Sequence, residues 1–449
     1  MNNIDDTICA LATGGSISAI AIIRISGKEA INITNKIFSK NLKNIQTHTI
    51  HFGTIKNKKE IIDEVIVSVF KKNKSYTGEE TIEITCHGSI YIQNKIIQLL
   101  IEKGCRMASA GEFTLRAFKN GKIDLSQAEA VADLIASSSK SEQQNAIKQL
   151  KGGFSKKLER LRNKLIDFGS LIELELDFSE EDVEFADRKE FLLLLKHIKS
   201  ELENLIKSFQ LGNVMKNGIP ISILGCPNSG KSTLLNILSN EEKAIVSEIA
   251  GTTRDAIEEK IIINNYNFRF IDTAGIRETN DEIEQIGIKK TFKKAEESYI
   301  ILFLIDIANN INDQIKEFDK INQEYPNKII AVINKIDLKP NLELDIKKSI
   351  RISAKKEKGL EELKNFIVKK AEKNNISTST IITNSRHYEE LNSTLNEVNI
   401  IIDGIKNNIS TDLISTNIRQ ALFHLGSITG QITTDTLLAN IFSKFCIGK

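Results

Sequence analysis

The segment Gly225-Cys226-Pro227-Asn228-Ser229-Gly230-Lys231-Ser232 constrains the fold more than any other stretch of this 449-residue chain. It fits the pattern G-x-x-x-x-G-K-[ST], in which a tight run of backbone N–H groups wraps phosphate oxygens. Such a loop needs a strand before it and a helix after it, so that amides and helix N-terminus aim at one anion. Both flanks comply: ISILG precedes the loop and TLLNILS follows. Gly225 and Gly230 permit the turn. Lys231 is placed to reach the β- and γ-phosphates, and Ser232 to hold Mg²⁺.

Further motifs follow in order, each at the end of a strand. Asp272-Thr273-Ala274-Gly275 comes after FRFI, with Asp272 set to touch Mg²⁺ through water and the Gly275 amide to sense the γ-phosphate. Asn334-Lys335-Ile336-Asp337 comes after IIAVI. A carboxylate at Asp337 accepts from guanine N1–H and the 2-amino group, a pair that adenine lacks. Ser353-Ala354-Lys355 supports the base, and Thr253 in Gly251-Thr252-Thr253 could complete the Mg²⁺ shell. The set predicts a guanine-nucleotide site.

Small Ras-like GTPases carry a Gln after D-x-x-G to orient the attacking water. Here that position is Ile276, with Arg277, Glu278, Glu282 and Glu284 nearby. Asn228 has two readings, a loop-stabilising Asn or an amide oxygen that binds a monovalent cation beside the phosphates.

Periodicity divides the chain into four segments. Residues 1–119 mix β-branched runs (Ile20–Ile25, Ile61–Phe70, Thr81–Thr85) with a helix over Tyr91–Cys105, which predicts an α+β domain. Residues 120–215 read as helical, from Ala128, Val131, Ala132 and Ile135, then Leu158, Leu161 and Leu165, then Phe191–Phe209. The acidic stretch 179–187 reads as a solvated loop, and Asn217-Gly218-Ile219-Pro220 as a turn. Residues 216–376 alternate strand and helix, which predicts a doubly wound, mostly parallel sheet. Residues 377–449 return to helix after a polar linker. The expectation is a multidomain α/β protein with a P-loop GTPase domain inserted into a divided helical domain.

Composition excludes several classes. Apolar runs fall short of the roughly 20 residues of a membrane span. Five cysteines without a C-x-x-C disfavour a disulfide scaffold and fit a reducing cytoplasm. The net charge of +2 argues against a nucleic-acid coat, although residues 1–119 alone carry +5.

Beyond the GTPase motifs, the chain resembles the MnmE (TrmE) family of tRNA modification GTPases, of the TrmE-Era-EngA type, over essentially its full length. The resemblance rests on Ile22-Ile23-Arg24-Ile25-Ser26-Gly27, Tyr76-Thr77-Gly78-Glu79-Glu80, Gly111 to Phe118, Asn120 to Leu125, Gln127 to Ala130 and the ending Phe445-Cys446-Ile447-Gly448-Lys449. One departure is Gly14-Gly15, where the family has Pro-Pro. The resemblance implies a Ras-like GTPase domain and a homodimer joined by the N-terminal domain. It implies GTP on Asn228, Ser229, Gly230, Lys231, Ser232 and Thr233. The switch stretch Ser247, Glu248, Ile249, Ala250, Gly251, Thr252 and Thr253 would join them, as would Asp272, Thr273, Ala274, Gly275, Asn334, Lys335, Asp337, Ser353 and Ala354. Mg²⁺ would sit on Ser232 and Thr253, and K⁺ on Asn228, Ser247, Ile249 and Thr252. Glu284 matches the water-orienting glutamate. Arg24, Glu83, Lys122 and Lys449 match the positions that bind a 5-formyltetrahydrofolate-type folate. Cys446 is either a nucleophile or a packing residue.

The implied activity is modification of C5 of the wobble uridine of certain tRNAs, adding an aminomethyl or carboxymethylaminomethyl group. A flavin-dependent partner, MnmG (GidA), would take part. The competing expectation is a GTPase switch in ribosome assembly or signalling, which would not need the N-terminal domain and the Cys446–Lys449 ending.

Overall fold

The computed structural model describes residues 6–177, 188–242, 259–264, 266–271, 296–340, 342, 344, 346, 349–374, 382–407, 409–443, 445–446 and 448. The chain forms two compact units. The first is Met1–Ile135, Ile147–Leu195 and Asn396–Lys449, and the second is Ala136–Ala146 and Lys196–Leu395. Helical segments therefore fall in both units, and the second extends past residue 376 to Leu395.

The first unit is built on a six-stranded sheet: β1 (Ile8–Leu11), β2 (Ile20–Ser26), β3 (Thr49–Asn57), β4 (Glu60–Phe70), β5 (Thr81–His87) and β6 (Arg106–Met107), ordered β3-β4-β5-β2-β1-β6. All neighbours run antiparallel except β1 and β6. Alternation fixes the buried face. In β4, Asp63, Val65, Val67 and Val69 point inward while Glu64, Ile66 and Ser68 do not. Helix α1 (Ala30–Asn35) and helix α2 (Ile90–Glu102) cover that face, and Ile96, Leu99 and Leu100 pack with Ile23, Ile25, Val65, Ile82 and Ile84. Burial of that apolar set is the main stabilising term here, at about 25 cal/mol per Å².

Helix α3 (Glu112–Lys119) carries Arg116, which is 1% exposed. Its guanidinium meets Asp6 at 2.8 Å, Glu112 at 3.0 Å and Glu79 at 3.2 Å. Arg106 joins from β6, reaching Glu112 at 2.6 Å and Asp6 at 2.7 Å. Two arginines and three carboxylates thus lock the N-terminal segment, the β4–β5 connection and α3 together. Hydrogen bonding to Arg106, then to Arg116, holds the Asp6 carboxyl below its ordinary 3.8. For Glu112 burial pushes upward, but the two arginines and the Ser109 N–H outweigh it, and the net shift is below 4.5.

Helices α4 (Leu125–Ala136), α5 (Lys140–Leu150), α6 (Gly153–Asp177) and α7 (Arg188–Asn217) follow α3. Leu158, Leu161 and Leu165 are buried as their spacing predicts, whereas Ile135, in the last turn of α4, is 47% exposed. Helix α7 is longer than the expected Phe191–Phe209. It runs to Asn217, so Gly218 alone separates it from the next strand in place of a four-residue turn. The acidic 179–187 stretch lies outside the described residues.

The second unit holds a sheet of β7 (Ile219–Leu224), β8 (Glu259–Ile263), β9 (Tyr266–Phe270), β10 (Ile300–Asp306), β11 (Ile329–Asn334) and β12 (Ser349–Arg351), ordered β12-β11-β10-β7-β9-β8. Only β8 is antiparallel. Both faces are covered, which is why β10 (IILFLID) is buried at every position. Helix α8 (Lys231–Glu242) and helix α10 (Leu360–Asn374) pack Leu234, Leu235, Leu238, Leu363 and Ile367 on one face. Helix α9 (Ile311–Glu324) packs Phe318 and Ile321 on the other. The strand order reverses between β7 and β10, and open α/β sheets bind ligands at the C-terminal strand ends of such a switch point. Helices α11 (Ser385–Lys406), α12 (Thr411–Thr429) and α13 (Asp435–Phe442) complete the chain. Thr434 caps α13 by accepting from the Leu437 N–H.

Arg116→Met leaves three carboxylates without their shared cation and is expected to destabilise the first unit by roughly 3 kcal/mol. Because the folded Asp6 and Glu112 carboxyl values are lowered, their contribution is complete above the ordinary values of 3.8 and 4.5. It is lost as pH falls through the lowered values. Urea midpoints at pH 6 and pH 3 should therefore differ more for the natural chain than for Arg116→Met.

Candidate functional site

The phosphate loop leaves β7 and enters α8, as its flanks predict. Gly225 has φ +135°, and a Cβ there would lie 2.4 Å from the Leu304 carbonyl oxygen. Gly230 has φ +98°, and a Cβ would lie 2.3 Å from Asn334 Nδ2. Both turns are therefore closed to side chains. Lys231 Nζ donates to the carbonyls of Gly225 (2.8 Å) and Cys226 (2.7 Å), which holds the ammonium over the loop. Ser232 and Thr233 occupy the first turn of α8, where helix N–H groups lack intrahelical acceptors.

Asn334, at the end of β11, ties the site together. Its Nδ2 donates to the Ser229 carbonyl at 2.8 Å, and its Oδ1 accepts from the Ala354 N–H at 3.0 Å. Three motifs distant in sequence are thus joined by one side chain that is 2% exposed. Lys335, at φ +64°, donates to the Asn228 carbonyl at 2.9 Å. Asn228 is itself left-handed at φ +60° and exposed on the loop. Ser353 Oγ donates to Asp337 Oδ1 at 2.5 Å, which lowers the Asp337 carboxyl and keeps it an acceptor near neutral pH. Burial, then the nearby Glu317 carboxylate, raises the Cys226 thiol.

Sequence reasoning missed Asp306. It ends β10, is 1% exposed, and accepts from Lys335 Nζ at 2.6 Å. Gln314 on α9 holds its backbone, donating to the Asp306 carbonyl and accepting its N–H. The available signal was an acidic residue closing an otherwise wholly apolar strand.

The structure brings together Asn228, Ser229, Gly230, Lys231, Ser232, Asn334, Lys335, Asp337, Ser353 and Ala354. Ser247, Glu248, Ile249, Ala250, Gly251, Thr252, Thr253, Asp272, Thr273, Ala274, Gly275 and Glu284 lie outside the described residues.

In the first unit, Arg24 and Glu83 face each other across β2 and β5 and form an ion pair at 2.8 Å. Arg24 also donates to the Gly448 carbonyl at 3.3 Å, and its guanidinium lies 5.8 Å from the Tyr76 ring and 5.7 Å from the Phe113 ring. A cation flanked by rings and a carboxylate suits a ligand with a heteroaromatic body and anionic tail. Lys122 donates to the Asn73 carbonyl at 3.2 Å, with its stem against Gly78. Lys449 lies outside the described residues. Cys446 is exposed and its carbonyl accepts from the Gly111 N–H. Its thiol is therefore not buried, and Phe442 and Phe445 supply the terminal packing with Leu125 and Ala128. Gly14 and Gly15 have open space around them, enough for a Cβ at either position.

Gly230→Ala would push against Asn334 Nδ2 at an unfavourable φ, so guanine-nucleotide affinity should fall at least tenfold in equilibrium titration.

Two family models match the chain. One, described as the MnmE helical domain, covers residues 125–446, and the other, the GTP-binding protein TrmE N-terminus, covers residues 7–122. Among curated relatives, tRNA modification GTPases MnmE from Flavobacterium psychrophilum and Flavobacterium johnsoniae are each 53% identical over 99% of both chains. The one from Bacteroides thetaiotaomicron is 50% identical over 99% of both.

Proposed function

This chain belongs to the MnmE family of tRNA modification GTPases, and from that premise we propose that it hydrolyses GTP to drive modification of C5 of the wobble uridine in certain tRNAs. The product would carry an aminomethyl or carboxymethylaminomethyl group. The observation that carries the nucleotide reading is the Asn334 bridge, which assembles phosphate loop, base-recognition motif and Ser353-Ala354 into one site. Asp337, kept ionised by Ser353, accepts from the two guanine donors. Lys231 and the loop amides take the β- and γ-phosphates, and Ser232 and Thr253 would hold Mg²⁺.

In place of the missing Gln, Glu284 orients the attacking water, contributing by positioning. The left-handed Asn228, its carbonyl pinned by Lys335, supports a monovalent-cation site with Ser247, Ile249 and Thr252. Mg²⁺ and K⁺, when bound, supply positive charge against the phosphates. Arg24, Glu83, Lys122 and Lys449 would take a formyltetrahydrofolate-type one-carbon donor. Arg24 has the surroundings for an anionic, ring-bearing ligand.

A homodimer is supported by the sheet face turned away from α2, where Ile50 is 70% and Phe52 59% exposed and Phe52 stands opposite Ile66. Domains over 1–119, 120–215, 216–376 and 377–449 remain the functional division, with the first serving folate and dimerisation. A flavin-dependent partner, MnmG, would supply the redox step. No helix among the described residues is long and apolar enough to cross a membrane, in keeping with a cytoplasmic setting.

GTP turnover should be at least tenfold faster in KCl than in NaCl at equal ionic strength; equal rates would remove the potassium role of Asn228. Nucleoside analysis of tRNA from cells lacking the gene should show loss of the C5-modified wobble uridine. An unchanged profile would sink the modification reading and leave a GTPase switch.

A further inference from the structure

We infer that Asp306 is a positioning residue for nucleotide binding, acting through Lys335 on the phosphate loop. This rests on the reading of the site as a nucleotide site. Asp306 belongs to none of the motifs that recognise phosphate, metal or base.

Its side chain is 1% exposed, at the C-terminal end of β10, beside the loop that leaves β7. An isolated buried carboxylate is costly unless it is paired and hydrogen-bonded. This one is paired with Lys335 Nζ at 2.6 Å on Oδ2. It also accepts from the Ala308 N–H at 2.9 Å on Oδ1 and from Asn309 Nδ2 at 2.6 Å on Oδ2. Gln314 grips the backbone of the same residue from both sides, which fixes where the carboxylate points.

The lysine it holds is the one that donates to the Asn228 carbonyl at 2.9 Å. Lys335 and Asn228 are both left-handed non-glycine residues, a conformation that persists where surrounding contacts impose it. A flexible ammonium stem would sample several rotamers without a fixed counter-charge. Asp306 selects the one that reaches Asn228, and so sets the phosphate loop before nucleotide arrives. Asp337 is oriented separately by Ser353 and does not depend on this pair.

The test uses the full-length protein and fluorescent GDP. Asp306→Asn keeps the size and several acceptor contacts and removes the charge. It should weaken GDP about tenfold, mainly through faster dissociation. The preference for GDP over IDP should be unchanged, since Asp337 reads the 2-amino group. Lys335→Gln should give a similar loss, and adding Asp306→Asn to it should change affinity less than twofold.

Normal GDP affinity and dissociation in Asp306→Asn, with only a lower melting temperature, would overturn the inference. So would multiplicative losses in the double variant, or normal GDP affinity in Lys335→Gln. The last result counts even if Asp306→Asn fails to fold, because Lys335 is part-exposed and its replacement leaves the strand core intact. A natural chain that binds no GDP would instead refute the nucleotide reading itself.

Discussion

The amide of Asn334 is the contact on which the nucleotide site depends. An asparagine side chain offers an acceptor and a donor pair on one planar group. Here the acceptor is used on Ala354 and a donor on Ser229, in a place water does not reach. Losing either partner would strand a buried polar group, so the three loops are held as a set. The reach of one short side chain requires the ends of β7, β11 and β12 to stay within a few ångströms. The two-sided apolar core of the sheet provides that rigidity, with β10 between β7 and β11 buried along its whole length.

The first unit solves a different problem by ionic means. Its N-terminal segment, the β4–β5 connection and α3 meet in a small apolar cluster of Ile8, Ala10, Ala108 and Phe113 with Tyr76 against it. Arg116 and Arg106 bridge them with five ion pairs whose closest nitrogen–oxygen distances are 2.6 to 3.2 Å. Planar guanidinium groups suit this work because each presents several donors in a fixed plane. The same region places Arg24 between two rings and a carboxylate, so rigidity and ligand chemistry occupy adjacent layers.

Much of this was legible in the sequence, for identifiable reasons. The phosphate loop was readable because its chemistry needs particular residues at fixed spacing within a few positions. Strands β4, β5, β7, β10 and β11 were readable from β-branched runs. Strands β1 and β6 were not, since four and two residues give too short a pattern and are fixed by pairing with each other. In β3 a glycine and polar residues mask a strand whose register β4 imposes. Residues Tyr76–Glu80 and Gly111–Phe118 stood out as motifs, but the ion network could not be read. It turns on Arg116 reaching Glu79 and Asp6, 37 and 110 positions away in chain number. Asp306 was overlooked because an acidic residue at a strand end reads as a solvated stop. Only the fold shows that Lys335 and Gln314 enclose it.

The first unit draws on both ends of the chain, and Arg24 meets Gly448 across 424 positions. On a ribosome, β2 is made early and waits while the whole second unit emerges and packs its own parallel sheet. The surroundings of Arg24 are complete only once Gly448, made long after β2, has been added. Long-range closure of that kind is slow relative to local folding. A truncated or stalled chain would therefore hold a finished phosphate-binding unit beside an unfinished N-terminal site. Synthesis itself orders the two regions, with the phosphate loop completed before the surroundings of Arg24.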